Sequence, residues 1–389
     1  MYVYADNAAT TAMSQVAIDA MIPYMNKIYG NPSSLHSVGQ EAKEALENAR
    51  ETVARCLGCE PREIYFTSGG SEADNQAIIS AARMGARKGK KHIISTAFEH
   101  HAVLHTLNKL EKEGFEIELL DVSNGHNITA QQVKDAIRED TCLVTVMYAN
   151  NEIGSVLPIS EIGAVCKEAK VPFHTDAVQA VGHIHINVKE QNIDMLSLSG
   201  HKFHGPKGVG ALYCRRGLPL VNVIEGGAQE RGKRAGTENI AGICSMAAAM
   251  QDACEHIDEN MPRVAAMRDR LIAGLAQVPH SALNGDAVNR LPGNVNFCFE
   301  GIEGESLLLL LDMKGVCASS GSLDPSHVLL AIGRVHDVAH GSLRLSLSEY
   351  NTEEEVDHIL KVVPEVVQYL RNMSPVWRDL QVGKRQYIL

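Results

Sequence analysis

Apolar residues recur with a period near 3.6 through SQVAIDAMIPYMNKIY (14–29) and VGQEAKEALENARETVARCLG (38–58), which predicts two helices. Beyond them the pattern shortens. EIYFTS, KHIIST, FEIELLDV, CLVTVMY and VPFHTD are β-rich runs, and several segments between them have the length and polarity of helices. That alternation predicts a mostly parallel sheet with helices on both faces. DMLSLS and GVGALYC add two more strands, the second a candidate for antiparallel pairing.

From about residue 236 the pattern changes. TENIAGICSMAAAMQDACEHI and MPRVAAMRDRLIAGLAQV read as two long helices. They are followed by the strand NVNFCFE, a helix through ESLLLLLDM, the strand SLRLSLS and a final helix from TEEEVDHILKVVPEVVQYL. Thr352 and Glu355 fit a capping box at the start of that helix. The expected architecture is α/β: a large domain over residues 15–258, and a smaller α+β domain of residues 259–389 with 1–14, hinged near residue 258. No repeat of solenoid period and no low-complexity tract interrupts it.

A chain of 389 residues fits two domains, and 45% hydrophobic with 21% charged residues is ordinary for a soluble enzyme. The net charge of -11, with Lys and Arg spread along the chain, argues against nucleic acid as a partner. No apolar run approaches the ~20 residues a membrane span needs. MYVYADNAATT has neither a basic nor an apolar signal-peptide region, so no secretory signal is expected. Nine cysteines at irregular spacings do not form a disulfide framework, and the reducing cytoplasm is the expected compartment. Cys56 and Cys59 form a lone CxxC in a helix-like stretch, a weak metal or redox signal.

Four stretches carry candidate chemistry. SLSGHKFHGPKG (197–208) places Lys202 just after a strand, where a desolvated amine can form a Schiff base with an aldehyde cofactor. Lys207 is equally eligible by composition, and an exposed surface lysine is the commoner meaning of either. HTDAVQAVG (174–182) puts Asp176 at a strand end, where a carboxylate can pair with a protonated pyridine nitrogen or cap a helix, with Gln179 close by. In FTSGGSEADN (66–75) a strand gives way to a helix whose first N–H groups suit a phosphate monoester. EHHAVLH (99–105) offers His100, His101 and His105. The last two share a helix face but lack a third zinc ligand, so no metal is expected, and a histidine stacked on a flat ring is the better use.

In this order the motifs resemble the class V, fold type I pyridoxal-phosphate enzymes, specifically the cysteine desulfurases of the NifS/IscS type. YADNAATT, GNPSSLHSVGQEA, FTSGGSEADN, EHHAVL and NNEIGS look like that family's blocks. So do HTDAVQAVGH, SLSGHKFHGPKGVGALY, GGAQERGKRAGTEN, LPGNVN, EGESLLLLL and SLRLSLSEYNTEEEVD, so the likeness runs almost end to end.

The resemblance implies a large domain with a mostly parallel seven-stranded sheet and pyridoxal 5'-phosphate as cofactor. It implies conversion of L-cysteine to L-alanine, the sulfur passing to an enzyme cysteine as a persulfide for iron–sulfur or thio-cofactor assembly. It makes Lys202 the Schiff-base lysine, Asp176 the pyridinium partner, Gln179 the phenolate contact, and His100 the stacking and acid–base histidine. Gly70, Ser71, Ser199 and His201 match the phosphate cradle, Asn151 a cofactor or substrate contact, and Arg344 the grip on the substrate carboxylate. Thr237 matches a threonine reaching the neighbouring subunit's phosphate, which implies a homodimer. A scaffold or sulfur-carrier protein is implied as recipient.

One stretch departs from the family. There, an alanine–cysteine step follows SSGS and precedes a segment similar to LDPSHVL. Here SSGS (319–322) runs directly into LDPSHVL, so the sulfur-accepting loop is missing between Ser322 and Leu323. Cys317 precedes the serines and is expected to end a buried strand as an inert thiol. Two other functions fit: a selenocysteine lyase or other β-eliminating enzyme that needs no thiol acceptor, and a silent scaffold. Intact Lys202, Asp176 and Arg344 argue against the scaffold.

Overall fold

The computed structural model describes residues 1–320 and 326–389. The chain opens with β1 (Val3–Tyr4), α1 (Gln15–Asn26) and α2 (Ser37–Leu57). Strands and helices then alternate through β2 (Ile64–Thr67), α3 (Gly70–Ala86), β3 (His92–Thr96), α4 (His101–Lys112), β4 (Glu116–Leu120) and α5 (Ala130–Ala136). β5 (Thr141–Thr145), α6 (Ile159–Ala169), β6 (Phe173–Asp176), β7 (Met195–Ser199) and β8 (Gly210–Cys214) follow. A kinked segment, α7 (Gln229–Gly232), leads to the long helices α8 (Ile240–Glu255) and α9 (Ile257–Leu275). After these come β9 (Ser281–Leu283), β10 (Asn294–Phe299), α10 (Gly304–Met313) and β11 (Val316–Cys317). The last elements are α11 (His327–Ala331), α12 (His336–Ala339), β12 (Ser342–Ser346), α13 (Glu353–Met373) and α14 (Pro375–Gln381).

All seven strands expected of the large sheet join it, in the order β2–β8–β7–β6–β5–β3–β4. β8 runs antiparallel to both neighbours and every other pair is parallel. Successive residues of a strand point to opposite faces, and each face has its own core. Ile94, Val144, Leu196 and Ala211 pack with α2, α6 and α8 residues on one side. Ile93, Leu143, Met195 and Leu212 pack with α3 and α4 on the other. Two covered faces explain why these strands read as dense apolar runs instead of alternating ones.

A separate core joins α9, α10 and α13 to an antiparallel sheet of order β12–β10–β9, and takes in Val3 and Ala5 from the N-terminus. Residues of α11 and α12, including Val328, Leu329 and Val338, pack instead in the large sheet's core. The division into 15–258 and 1–14 with 259–389 stays our proposal, supported by the place of Val3 and Ala5 in the second core, which Ile257 already joins just ahead of the boundary.

Some element ends differ from expectation. α9 begins at Ile257 and runs through Pro262, because Asp258 and Glu259 supply a favourable acidic first turn. The two- and three-residue strands β1 and β9 were not expected, since so short a run carries no period. The Thr352–Glu355 capping box is present. No helix among the described residues is long and apolar enough to cross a membrane.

Candidate active site

At the C-terminal ends of the large sheet's parallel strands, where open α/β sheets bind ligands, lies a cavity of ≈ 230 Å³. β2 hands over to α3 at one end. Gly69 is the N-cap and offers no side chain, so the first N–H groups of α3 face the cavity without a side-chain cap. Gly70 and Ser71 line this end. A Cβ on Gly70 would stand 2.6 Å from the Val178 side chain, which explains glycine there.

Ser199 ends β7 and a 3-10 turn, Gly200–Lys202, swings His201 and Lys202 into the same wall. Burial, then the neighbouring Lys202 and Lys207, push the His201 ring down to about 4, so it is neutral. Its Nδ1 lies 3.0 Å from Thr10 Oγ1. The Lys202 ammonium donates to the Ala8 and Ala9 carbonyls at 2.6 and 2.8 Å. Burial, assisted by Arg344, brings its pKa down to about 8, a value that leaves a reactive neutral amine accessible near neutrality. Lys207 is exposed and outside this cavity.

Asp176 ends β6, buried, and its Oδ1 accepts from the Val178 N–H at 3.0 Å. That bond makes a turn; no helix follows for Asp176 to cap. Burial pushes the carboxyl up, against the pull of the Val178 N–H, His100 and Lys202. His100 is the N-cap of α4, its Nδ1 accepting from the Ala102 N–H at 3.1 Å, and it lines the cavity. His101 and His105 lie on one helix face with ring centroids 5.0 Å apart, and His327 joins them 4.6 Å from His101. Among the described residues those three do not form a ligand cluster; the one grouping with that spacing is Asp74, His100 and Asp176.

Gln179 and Asn151 complete the wall. The Gln179 amide donates to the Ala8 carbonyl at 2.9 Å. Arg344, on β12, is not part of the wall but donates to the Asn151 carbonyl at 3.2 Å and pairs with Asp6 at 2.9 Å. Its Nε is buried without a hydrogen-bond partner among the described residues. Thr237 is exposed and away from this cavity.

Cys317 ends β11 as expected, but it is half-buried rather than buried, because among the described residues the two-residue strand pairs only with β1. Its Sγ donates to the Tyr2 hydroxyl at 3.0 Å, and it does not line the cavity. The junction of Ser322 with Leu323 lies outside the described residues. On one side of it Ser319 pairs with Arg344, and on the other His327 Nε2 lies 2.9 Å from the Glu99 carbonyl. Cys56 and Cys59 straddle the C-cap of α2, and burial raises the Cys59 thiol to about 12.

A larger cavity, ≈ 650 Å³, opens at the other ends of the strands, beside Thr141, Pro172 and Asp194. It has lysines but neither the buried carboxylate pair nor the helix N-terminus, so the smaller one carries the chemistry.

The family described as aminotransferase class-V matches residues 3–359. The chain belongs to that family. Within it, the IscS cysteine desulfurase of Clostridium botulinum (strain Hall) is 52% identical over 393 residues, covering 99% of both chains. A solved NifS-like protein superposes with a TM-score of 0.90 at 39% identity, over 95% of this chain and 100% of that one. A solved SspA, described as in complex with cysteine, gives 0.79 at 37% identity over 90% and 99%.

The class-V cofactor is pyridoxal 5'-phosphate, and the residues present fit it. The cavity falls below the ~300–1,000 Å³ of drug-sized sites and suits one ring with a phosphate arm. The capless start of α3, Asp176 and Lys202 line this one cavity and would suit a phosphate, a protonated ring nitrogen and an aldehyde respectively. Sequence reasoning missed Asp74, which lines the cavity, and Asp6, the partner of Arg344. Asp74 had a signal: it stands one helical turn after Gly70 on the face that meets the sheet. Asp6 had none, since its pairing with Arg344 spans most of the chain.

Proposed function

We propose that this protein is a pyridoxal-phosphate-dependent cysteine desulfurase that converts L-cysteine to L-alanine and releases the sulfur to a thiol. The observation that carries this reading is the convergence of Lys202, Asp176 and the start of α3 on one cavity. When bound, the cofactor supplies an electron sink for chemistry next to an amino group. Gly70, Ser71, Ser199 and the neutral His201 would hold the phosphate. Asp176, whose charge is costly while it is buried alone, would pair with a protonated ring nitrogen and so favour the protonated ring. His100 would cover the ring, and Gln179 and Asn151 would fix its polar edge.

Lys202, with its pKa near 8, is suited to anchor the cofactor and then to move protons next to the substrate amine. Arg344 would bind the substrate carboxylate, offering its buried, unpartnered Nε and exchanging its Asp6 contact. We assign the sulfur no acceptor on Cys317, which sits outside the cavity. The C–S bond of cysteine breaks and its sulfur passes to an external thiol as a persulfide, or is released by a dithiol as sulfide. A scaffold or carrier protein of iron–sulfur assembly is the proposed recipient. The cysteines described are all free, which fits a cytoplasmic location. A homodimer in which Thr237 serves the neighbouring phosphate completes the proposal.

Alanine measured after incubation with cysteine and a dithiol tests the function; none above the Lys202→Ala background would refute it. The missing alanine–cysteine step favours one second reading, a selenocysteine lyase, and a large preference for selenocysteine over cysteine in the same assay would establish it. Mixing Lys202→Ala with Thr237→Ala chains tests the dimer: shared sites recover activity over either parent, and unshared sites do not.

A further inference from the structure

Beneath the ring end of the cavity, three adjacent parallel strands place polar side chains in a row. His174 of β6 has Nδ1 2.8 Å from Thr145 Oγ1 of β5 and Nε2 2.9 Å from Ser197 Oγ of β7. All three residues are fully buried. Asp74 comes down on this row from α3. One of its oxygens, Oδ1, lies 3.6 Å from His174 Nε2 and has no hydrogen-bond partner among the described residues. Asp74 is 1% exposed, yet it lines the cavity, and the ligand atoms of Asp74, His100 and Asp176 all lie within 4.8 Å of one another.

The other buried residues of α3 are small or apolar, as with Ala73, Ala77, Ile78 and Ala81, or neutral polar groups bonded to backbone, as with Gln76 and Ser80. A carboxyl there needs a reason. The titratable groups facing it are His174 and Asp176 from β6, Glu99 and His100 at the start of α4, and Lys202 after β7. His174 cannot supply a cation: burial pushes its pKa down to about 3. Glu99 and Asp176 are acids. Two buried carboxyls this close cannot both ionise without strong repulsion, so one holds a proton. Asp176 has the Val178 N–H and the attraction of His100 and Lys202. Asp74 has the Ser197 hydroxyl alone in its favour, against burial and the charges of Asp176 and Glu99.

We propose that Asp74 is a positioning residue of the ring floor: a neutral carboxylic acid, seated on the Thr145–His174–Ser197 row, that flanks Asp176 and leaves it the only anion offered to the ring nitrogen. This deepens the function proposed above and rests on it for the identity of the ring. The row fixes where Asp74 stands, and its proton keeps a second negative charge out of the floor.

The test uses the full chain in two states. For the cofactor-free protein at pH 7, a difference infrared spectrum between wild type and Asp74→Asn should show the loss of a protonated-carboxyl band. Loss of an ionised carboxylate band instead overturns the proposal, and this readout needs no activity. Titration with pyridoxal phosphate, followed by its visible absorbance, forms the second arm. Asp74→Asn, a neutral isostere, should bind within about threefold of wild type, while Asp74→Ala should bind roughly tenfold more weakly. A weak-binding Asn variant, or an Ala variant equal to wild type, overturns the proposal. If Asp74→Ala does not fold, the infrared result and the Asn variant decide. Failure of the wild type to bind pyridoxal phosphate at all would strike the function proposed above, leaving the infrared arm to judge Asp74.

Discussion

Lys202, Asp176 and Ser199 hang on the C-terminal ends of β6 and β7, inside a seven-stranded sheet with a core on each face. Arg344 and Asp6, on the proposed substrate side, come from β12 and the N-terminal segment, which are joined to each other by a bridge at Ser346. The two sides satisfy their polar groups differently. On the cofactor side the partners are mostly backbone: the Ala8 and Ala9 carbonyls for Lys202, and the Val178 N–H for Asp176. On the substrate side the two charged side chains pair with each other. A backbone-held site is already organised before ligand arrives, whereas a side-chain pair can be exchanged for a substrate carboxylate. Binding of cofactor and binding of substrate should therefore fail separately.

The largest effect is expected from Lys202→Ala. Alanine formation should fall by ~10³-fold or more, and dialysis should remove the cofactor that wild type retains. Activity near normal in that variant would break the assignment. Arg344→Ala should raise the KM for cysteine by roughly 100-fold while cofactor affinity, read by absorbance, stays unchanged. Equal losses of both would show that the two sides are not independent.

Next in size is a pH effect on the cofactor side. The Lys202 amine is protonated and unreactive below its pKa of about 8. The rate at which cofactor-free protein captures pyridoxal phosphate should climb about tenfold per pH unit toward that value and then level off. A plateau already reached at pH 6 would contradict it. Asp6→Asn should act in the other direction on the substrate side. Freeing Arg344 from its competitor should lower KM by about threefold, with a lower melting temperature because a mostly buried guanidinium loses its counter-ion.

The smallest effect concerns Glu99, fully buried, which accepts from the Thr96 hydroxyl at 2.6 Å and the Met147 N–H at 3.0 Å. Burial raises its pKa to about 8. An acid harder to ionise when folded makes stability fall with rising pH, from its unfolded value near 4.5 up to about 8. Glu99→Gln should flatten that slope and raise the melting temperature at pH 8 by a few degrees, roughly. A variant less stable than wild type at pH 8 would show that the ionised form is wanted.

The same contrast explains what could be read from the sequence. The seven large-sheet strands were legible because each carries its own short apolar run. Asp176 and the start of α3 at Gly70 could be set at strand ends from their motifs, whereas composition left Lys202 and Lys207 equal and only the family resemblance chose between them. Asp6 and Arg344 became partners only through pairing of residues 338 positions apart, which no local pattern encodes. The packing of α11 and α12 into the large core was hidden for the same reason. Cys317 was legible as a strand end, but its exposure was not, because that depends on how far β1 covers it.

Where the sulfur goes tests the contrast most directly. Cysteine should be added to the cofactor-loaded full chain without reductant, alanine counted, and every cysteine-containing peptide weighed. The cofactor side being complete, alanine should form in wild type and not in Lys202→Ala; with no acceptor in the cavity, it should form slowly, speed up on addition of a dithiol, and leave Cys317 unmodified. No alanine under either condition, or an added sulfur mapped to Cys317, would contradict this reading.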